Sequence, residues 1–417
     1  MSISYLLPLL VIAAGAYFLT KLRFFFIRHP VSVLKRIAKN SRDEGSRRAL
    51  MLALAGTLGV GNIVGVAYGI KACGAGVVFW ILASALFSAP LKYAESYIAS
   101  LYGSEMGIVY SVKDALGRRV SSIYALLTLV LSFVLGGGLQ ARSVISSADS
   151  VGIPSLAVCA ALAALVLFAI LGGARKIEGV NAYAIPIATV FYIMIMLAVV
   201  FKNLSSLPEA VLKIACEALD FRALAGGVSS FLAIKAMREG FSRGLLSNEA
   251  GAGSSSMAEA RSSLSPSDVG LFGILEVVFD TVILSTLTGV AIVASGVPLD
   301  GGGVEIVTRA IASVFGKASP YIVFIVIFVF SYSAVICRYY YADSCLGYLA
   351  SSDGERKKRV LIPLYILIIL FCGGLGERFL ISLSDILLLL MTLITVISLI
   401  KNSERIKAPS EKFIKEV

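Results

Sequence analysis

The chain has 417 residues, of which 58% are hydrophobic and 15% are charged, and its formal net charge is +11. This composition excludes an ordinary soluble protein and predicts a polytopic membrane protein. Six cysteines without a CxxC pair and a single histidine exclude the familiar zinc sites and histidine-based catalytic triads. The basic residues concentrate in alternate loops, which is typical of membrane topology rather than of a nucleic-acid partner.

The apolar segments predict about eleven membrane-spanning helices, each near the ~20 residues that a bilayer requires. Nine basic residues lie between the first two spans, from Lys21 to Arg48, so the positive-inside rule predicts a cytoplasmic loop there and an outside N-terminus. Eleven crossings then predict a cytoplasmic C-terminal tail. No small-residue cleavage site ends the first span, and we expect a retained helix in the cell membrane. The predicted spans are 3–20, 49–70, 76–101, 120–146, 154–171, 180–201, 224–259, 268–295, 320–349, 359–375 and 378–400.

Two of these spans differ from an ordinary membrane helix. The span at 49–70 has glycines at 56, 59, 61 and 65 around Asn62, which free the backbone from helical geometry and add a polar group at mid-span. The span at 224–259 contains the sequence SNEAGAGSSS from Ser247 to Ser256. We therefore expect both helices to be interrupted halfway across the bilayer, where the freed N–H and C=O groups can bind a small ion and a zwitterion.

The interruptions fall in the first and the sixth of the ten helices that follow the N-terminal span. This placement predicts an all-α fold with the 5+5 inverted repeat of leucine-transporter-like carriers, preceded by one extra helix. We also expect surface helices in the outer loops 203–223 and 300–317, including one from Val304 to Ala312 that covers the outer vestibule. The predicted units are an N-terminal helix with a basic loop at 1–48, a first five-helix repeat at 49–202, a second repeat with its outer loop at 203–400, and a basic tail at 401–417.

Several short motifs occur along the chain in a fixed order. The strongest are GVGNIVGV from Gly59 to Val66, KYAE from Lys92 to Glu95, and RGLLSNEAGAGS from Arg243 to Ser254. In this order they resemble the alanine or glycine:cation symporters, also called the sodium:alanine symporter family, over most of the chain. The stretch 74–80 also resembles a motif of the same family, and weaker matches are Gln140-Ala141, Phe279 to Thr281, and Tyr339 to Asp343.

The interruptions and the family resemblance together indicate a set of binding residues. The resemblance implies that they bind a small amino acid and a cation. The predicted substrate-binding residues are Gly59, Gly61, Asn62, Gln140, Ser247, Asn248, Glu249, Ala334 and Arg338. The predicted ion-binding residues are Thr57, Asn62, Asp280 and Ser333, and no transition-metal site is expected.

The polar candidates also have structural interpretations. Asn62 can cap the broken ends of its own helix, and the Ser247 to Glu249 stretch can cap the second half-helix. Asp280 lies at mid-span and requires a partner, for which we expect structural hydrogen bonding more than ion binding. Gln140 presents an amide donor and an acceptor, which suits an amino acid.

Four positions depart from the family pattern. Arg338 stands in place of a tryptophan, Ser333 and Ala334 in place of two threonines, and Glu239 in place of an aromatic residue. Because a carboxylate in a facing helix offsets the cost of an arginine in the membrane, we expect Glu239 and Arg338 to pair as an ionic gate beside the cavity. A competing interpretation is that each residue snorkels or finds another partner, such as Lys235 for Glu239.

Lys92 and Glu95 form a second candidate gate. They lie three residues apart on one face of a predicted helix, near its cytoplasmic end. This spacing predicts an intrahelical ion pair or a gate tether rather than contact with the substrate.

The predicted function is Na⁺-coupled symport of a small neutral amino acid, of alanine or glycine type, by alternating access. Na⁺ is the expected coupling ion, with no other cofactor, and the expected partners are the amino acid and the lipid bilayer. The sequence indicates no nucleic-acid partner and identifies no protein partner.

Other functions on the same scaffold stay open at the level of sequence. The loss of a hydroxyl at Ala334 leaves room for H⁺ coupling, with Glu239, Glu249 and Asp280 as proton carriers. A carrier of altered specificity and a channel-like or non-transporting relative are also compatible with the residues that depart from the family pattern. An enzyme is not expected, because no nucleophile and base pair is evident.

Overall fold

The computed structural model describes residues 6–219, 228–350 and 354–409, without the side chains of 228–233, 354–358 and 372. Over these residues the secondary structure is helical and no strand occurs, so the predicted all-α class is confirmed. Some predicted features lie outside the described residues. They are the first residues of the spans at 3–20 and 224–259 and the part of the basic tail beyond 409.

Helices occupy all of the predicted spans, with ends that differ by several residues. Among the described residues, six helical stretches are long and apolar enough to cross a membrane, or seven when the bent pair Glu44–Thr57 and Val60–Cys73 counts as one span. The count of eleven crossings and the inverted repeat stay predictions. The α-helices are α1 Leu6–Lys21, α2 Phe25–Arg28, α3 Pro30–Asn40, α4 Glu44–Thr57, α5 Val64–Cys73, α6 Gly76–Ser100, α7 Gly107–Leu116, α8 Arg118–Leu131, α9 Gln140–Asp149, α10 Ser155–Leu171, α11 Gly173–Lys202, α12 Leu207–Leu219, α13 Val228–Asn248, α14 Ser256–Glu259, α15 Pro266–Val277, α16 Thr286–Ser295, α17 Gly303–Phe315, α18 Ser319–Leu349, α19 Gly354–Phe371 and α20 Glu377–Lys401.

Both predicted outer loops contain a helix. They are α12 in the first loop and α17 in the second, so the two expected helices are confirmed. The apolar side of α17 is buried. Its first residue, Gly303, packs closely on α5, because a β-carbon at Gly303 would lie 2.7 Å from the Val64 carbonyl oxygen.

Glycines allow α13 and α15 to pack directly on α6. On α13, Gly240 and Gly244 have the GxxxG spacing that lets membrane helices approach closely. A β-carbon at Gly244 would lie 2.2 Å from the Ser84 hydroxyl oxygen, and one at Gly273 of α15 would lie 2.8 Å from the Lys92 carbonyl oxygen. The close packing brings the polar residues of α6 and α15 up to the interruption that follows α13.

Two long helices contain a π-helical segment that the sequence did not predict. Ser132–Leu139 joins α8 to α9, and Val278–Ser285 joins α15 to α16. Widened turns of this kind are frequent at functional sites, because the extra residue redirects the side chains around it. Gln140 follows the first π segment directly, and Asp280 lies within the second.

Candidate functional site

The first interrupted helix breaks between α4 and α5. After Thr57 the chain is extended at Leu58 and Gly59, and a single 3₁₀ turn, Val60–Asn62, leads into α5. The two halves are bent by 55°. Asn62 stabilises the turn, since its Oδ1 accepts a hydrogen bond from the Gly59 N–H at 3.4 Å. The predicted interruption is therefore confirmed, and Asn62 caps it.

The second interruption begins where α13 ends, at Asn248. Glu249, Gly251 and Gly253 take positive φ angles of 51°, 95° and 73°. Glycine tolerates this left-handed conformation, whereas a glutamate adopts it only at a cost. The chain resumes as the single helical turn α14. The second predicted interruption is also confirmed, and its one strained non-glycine residue carries a buried carboxylate.

Asp280 joins the two interruptions. Its Oδ1 accepts hydrogen bonds from Asn62 Nδ2 at 2.7 Å, in the first break, and from Ser247 Oγ at 2.9 Å, in the last turn before the second. Its Oδ2 accepts from Thr281 Oγ1 at 2.9 Å, and Thr281 accepts in turn from Asn248 Nδ2 at 2.9 Å. The carboxylate is fully buried, and within the described ranges it forms no ion pair with a lysine or arginine.

The two breaks also touch through their glycines. A β-carbon at Gly61 would lie 3.6 Å from the Ser247 Cα, which is ordinary contact distance. A β-carbon at Gly59 would lie 2.8 Å from Gln140 Nε2, so the missing side chain lets Gln140 approach the extended backbone. The other amide atom, Gln140 Oε1, is buried without a hydrogen-bond partner in the described chain. It is an acceptor available at the first break.

Arg338 of α18 contacts both breaks at once. Its Nη2 donates a hydrogen bond to the Gly56 carbonyl at 2.8 Å, and its guanidinium forms an ion pair with Glu249. Arg338 is 3% exposed and Glu249 is 1% exposed. Because the carbonyl end of a helix carries partial negative charge, one guanidinium compensates both the end of α4 and the carboxylate at the second break.

The predicted ion pair between Glu239 and Arg338 is wrong. Glu239 Oε1 accepts instead from Arg243 Nε at 2.8 Å, and Arg243 Nη2 also lies 3.5 Å from Asp385 Oδ2. The reason is helical geometry, since residues four apart on one helix are neighbours. Arg338 finds its carboxylate at Glu249, ten residues further along the chain than Glu239.

The predicted intrahelical pair of Lys92 and Glu95 is wrong as well. Lys92 Nζ donates to the Asn248 carbonyl at 2.8 Å and pairs with Glu276 Oε1 at 3.3 Å. Glu95 Oε1 accepts from the Gly251 N–H at 2.5 Å. Unwound backbone in a buried place leaves N–H and C=O groups that require partners. Lys92 and Glu95 each bind one such backbone group at the second break. Contacts of this kind are what a gate tether requires.

Three further candidates are buried but not linked to Asp280 by hydrogen bonds in the described chain. The Thr57 Oγ1 lies 3.3 Å from the Leu54 carbonyl oxygen of its own helix. The Ser333 Oγ is buried without a partner, and Ala334 is buried beside it on α18. Asn62 and Asp280 thus come together as one polar centre, while the proposed roles of Thr57, Ser333 and Ala334 stay predictions.

Known proteins resemble this chain along most of its length. The sequence profile of the sodium:alanine symporter family matches residues 1–416. This chain belongs to the sodium:alanine symporter family. It is 30% identical over 379 residues to the sodium/alanine symporter AgcS of Methanococcus maripaludis, covering 85% of this chain and 83% of that protein. It is 28% identical over 356 residues to the amino-acid carrier protein AlsT of Bacillus subtilis, covering 82% and 76%.

Solved structures show the fold of this sodium:alanine symporter family member. The crystal structure of MhsT in complex with L-phenylalanine aligns with a TM-score of 0.62 at 16% identity, covering 84% of this chain and 87% of that one. A Na⁺-coupled sialic acid symporter in a substrate-bound outward-open state aligns with a TM-score of 0.55 at 13% identity, covering 94% and 84%. The leucine-transporter-like fold is therefore confirmed, and the protein is a multi-pass membrane transporter rather than an enzyme.

Sequence reasoning missed two residues that hold the second break of this family member. Glu276 pairs with Lys92, and Tyr124 Oη donates to the Ala252 carbonyl at 2.5 Å. Glu276 did carry a signal, because an acidic residue within an apolar span marks a candidate functional position. Tyr124 carried none, since a tyrosine in an apolar helix usually serves packing.

A cavity of about 510 Å³ lies outside this centre, between α7, α11 and the last turns of α18. Polar residues line much of it, and Arg261 connects two of the surrounding segments. Arg261 pairs with Glu105 at 2.9 Å and with Glu178 at 2.8 Å, while Tyr340 Oη donates to Glu105 at 2.7 Å. None of the predicted substrate- or ion-binding residues lines this cavity.

Proposed function

We propose that this protein moves a small neutral amino acid, of alanine or glycine type, together with Na⁺ by alternating access. Asp280 carries the proposal, because this fully buried carboxylate contacts both broken helices and forms no ion pair with a lysine or arginine of the described chain. A buried charge of this kind is costly unless a cation binds beside it. The Ser247 and Thr281 hydroxyl oxygens supply further hard donors next to the carboxylate.

Buried polar atoms without partners support an amino-acid site next to this ion. Within the described chain they include Gln140 Oε1, Ser333 Oγ and Arg338 Nη1. A guanidinium suits a carboxylate, and an amide oxygen accepts from an ammonium group. The names of the relatives AgcS, a sodium/alanine symporter, and GlnT, a probable sodium/glutamine symporter, support the same class of substrate and ion.

The connection through Asp280 also supplies a physical route for coupling. An ion bound at Asp280 holds Asn62 and Ser247, and hence both breaks, in one arrangement. The amino acid binds between the same breaks, so each ligand favours the arrangement that the other requires, and the coupling is reciprocal. With this mechanism we propose eleven spans, an outside N-terminus, a cytoplasmic C-terminus, and repeats at 49–202 and 203–400.

Thermal unfolding of the purified protein tests this function directly. The protein is heated with L- and D-amino acids in either NaCl or KCl. We expect alanine or glycine to raise the melting temperature in Na⁺ only, since a ligand at 100 times its Kd stabilises the bound state by about 2.7 kcal/mol. Saturable counterflow of the labelled amino acid in proteoliposomes then separates a carrier from a channel or a non-transporting sensor.

Two variants link the result to Asp280. Asp280→Asn removes the charge but keeps the size, and we expect the amino acid to lose its Na⁺-dependent stabilisation. Asp300→Asn is the matched control, because the Asp300 side chain is 79% exposed and pairs only with surface Arg309 among the ion pairs of the described residues. Equal stabilisation by the amino acid in Na⁺ and in K⁺ would contradict Na⁺ coupling.

Proton coupling is the second candidate, and one contact favours it. Asn62 presents its Nδ2 to Asp280 and its Oδ1 to the Gly59 N–H, so its amide oxygen does not face the carboxylate. A proton on Asp280 needs fewer oxygen ligands than Na⁺ does. Uptake that depends on a pH gradient but proceeds equally in Na⁺ and K⁺ would support this candidate instead.

A further inference from the structure

A second group of buried ionisable residues lies beside α14, apart from Arg338. Lys92 and Glu95 belong to α6, Glu259 to α14 and Glu276 to α15, and all four are fully buried. Three carboxylates thus share this region with one ammonium group. Like charges in a buried place cannot all stay ionised without compensation.

The four residues differ in how well their charges are compensated. Glu276 has Lys92 at 3.3 Å and a hydrogen bond from Ser255 Oγ at 2.9 Å. Glu95 accepts from the Gly251 N–H. Glu259 has the Ser96 hydroxyl on one oxygen, while its other oxygen, Oε1, is buried and without a partner in the described chain. Glu95 is in the same position, because its Oε2 is also buried without a hydrogen-bond partner in the described chain, so Glu259 and Glu95 are both less well compensated than Glu276.

A count of protons at Ser96 distinguishes Glu259 from Glu95. The Ser96 Oγ lies 2.9 Å from the Lys92 carbonyl oxygen and also contacts Glu259 Oε2. A carbonyl oxygen only accepts, and a hydroxyl has one proton to donate. A single proton could only be shared between the two acceptors as a weaker three-centre bond, whereas each contact is a full hydrogen bond if Glu259 supplies a second proton. The geometry is complete when Glu259 is a carboxylic acid that donates to Ser96, which in turn donates to Lys92.

We propose that Glu259 is a proton-binding site of this transporter. It holds a proton while α14 is packed on α6, gives the proton to water when α14 moves away, and takes one from water when α14 returns. The two contacts of the Ser96 hydroxyl are the reason that the proposed ligand is a proton. This inference rests on the proposed alternating access and adds a proton to the ligands of the cycle.

The direction in which pH changes the balance between the packed and the open state depends on Glu259 and the groups around it. Ionisable groups face it from α6, as Lys92 and Glu95, and from α15, as Glu276. Two other helices contact α14, of which α4 carries Glu44, Arg47 and Arg48 in its first turns, and α7 carries Tyr110 and the exposed Lys113 and Asp114. The state with α14 packed on α6 binds the proton, and the state with α14 moved away releases it. A rising pH on the side of the membrane where α14 lies, which is cytoplasmic in the proposed topology, therefore favours the open state. One proton changes this equilibrium by at most about tenfold per pH unit.

Infrared spectroscopy of the purified protein tests the site without any transport assay. We expect the wild type to show the C=O stretch of a protonated carboxylic acid at neutral pH, and Glu259→Gln to lose it. Glu209→Gln, which alters an exposed residue of α12, is the matched control and should keep the band. Loss of the band in Glu95→Gln or Glu276→Gln but not in Glu259→Gln would overturn the assignment, as would a wild type without such a band.

Counterflow in proteoliposomes tests the consequence. We expect the wild-type rate to rise with the pH on the α14 side by up to about tenfold per unit. Glu259→Gln should exchange the labelled amino acid at a rate that no longer follows pH. A Glu259→Gln rate that follows pH as the wild type does would overturn the proposal. If the infrared band is lost in Glu259→Gln but no protein shows counterflow, the proposed transport fails while the proton site stands.

Discussion

Arg338 and Glu249 form a buried ion pair at the point where the second helix break begins. The guanidinium also holds the Gly56 carbonyl at the end of α4, so one side chain of α18 connects both broken helices. The carbonyl end of a half-helix and a carboxylate are the two features that would attract a cation. Here the protein supplies that cation itself, and the ligands must bind around it.

Removal of one partner of this pair should be strongly destabilising. Glu249→Gln leaves the Arg338 charge buried and unpaired, at a cost of about 3–5 kcal/mol in the free energy of unfolding. The double variant Glu249→Gln with Arg338→Met removes both charges and should recover most of the loss. Chemical unfolding in detergent measures both values. A double variant that loses the sum of the two single effects would show that the residues act independently.

The conformation of Gly251 gives a second prediction. Gly251 has a φ of 95°, and an added β-carbon would lie 2.5 Å from Thr392 Cγ2. Gly152 has a φ of 74° but open space around it. Gly152→Ala should therefore cost only the conformational energy, about 1–2 kcal/mol. Gly251→Ala should cost about 1–3 kcal/mol more because of the added clash.

Thermal unfolding of both glycine variants checks this difference. Thr392→Ser removes the Cγ2 atom and should return part of the stability of Gly251→Ala, with no benefit to Gly152→Ala. Equal losses in the two alanine variants would mean that Thr392 moves aside freely.

Lys92 has two roles that a pair of variants can separate. Lys92→Met removes the donor to the Asn248 carbonyl and leaves Glu276 unpaired, so we expect a loss of about 3–5 kcal/mol in stability and of counterflow. The addition of Glu276→Gln should restore stability but not counterflow, because the tether to Asn248 is still absent. Lys71→Met, which alters a surface contact with the Gly301 carbonyl, is the control. Recovery of counterflow in the double variant would show that Lys92 only balances charge.

Arg261 gives a prediction about conformation rather than stability. Its ion pairs with Glu105 and Glu178 hold together the segments around the cavity, and they are partly exposed. Arg261→Gln should therefore favour the state in which this cavity is open over the state in which it is closed by about 0.5–1 kcal/mol. The ratio of open to closed molecules would rise roughly two- to fivefold. Labelling of Ser344→Cys, in a background without other cysteines, measures access to the cavity. Unchanged labelling in Arg261→Gln would show that these pairs do not control opening.

The sequence by itself determined where the helices lie and where two of them break. Apolar runs of sufficient length specify spans, and the glycines around Asn62 and after Asn248 free the backbone in a way that depends only on nearby residues. The motifs from Gly59 to Val66 and from Arg243 to Ser254 also pointed to the family. These features are local, so that no knowledge of packing was needed to recognise them.

Only the tertiary structure decided which charged groups meet. Arg338 pairs with Glu249 rather than Glu239, Lys92 reaches Asn248 rather than Glu95, and the site at Glu259 had no counterpart in the sequence analysis. A helical residue has several possible neighbours, and the choice among them depends on how far each helix is rotated and how closely it packs. Two features set the rotation and the spacing of the helices: the glycine contacts between them and the π-helical turns within them. Both features bring together residues that are distant in the chain.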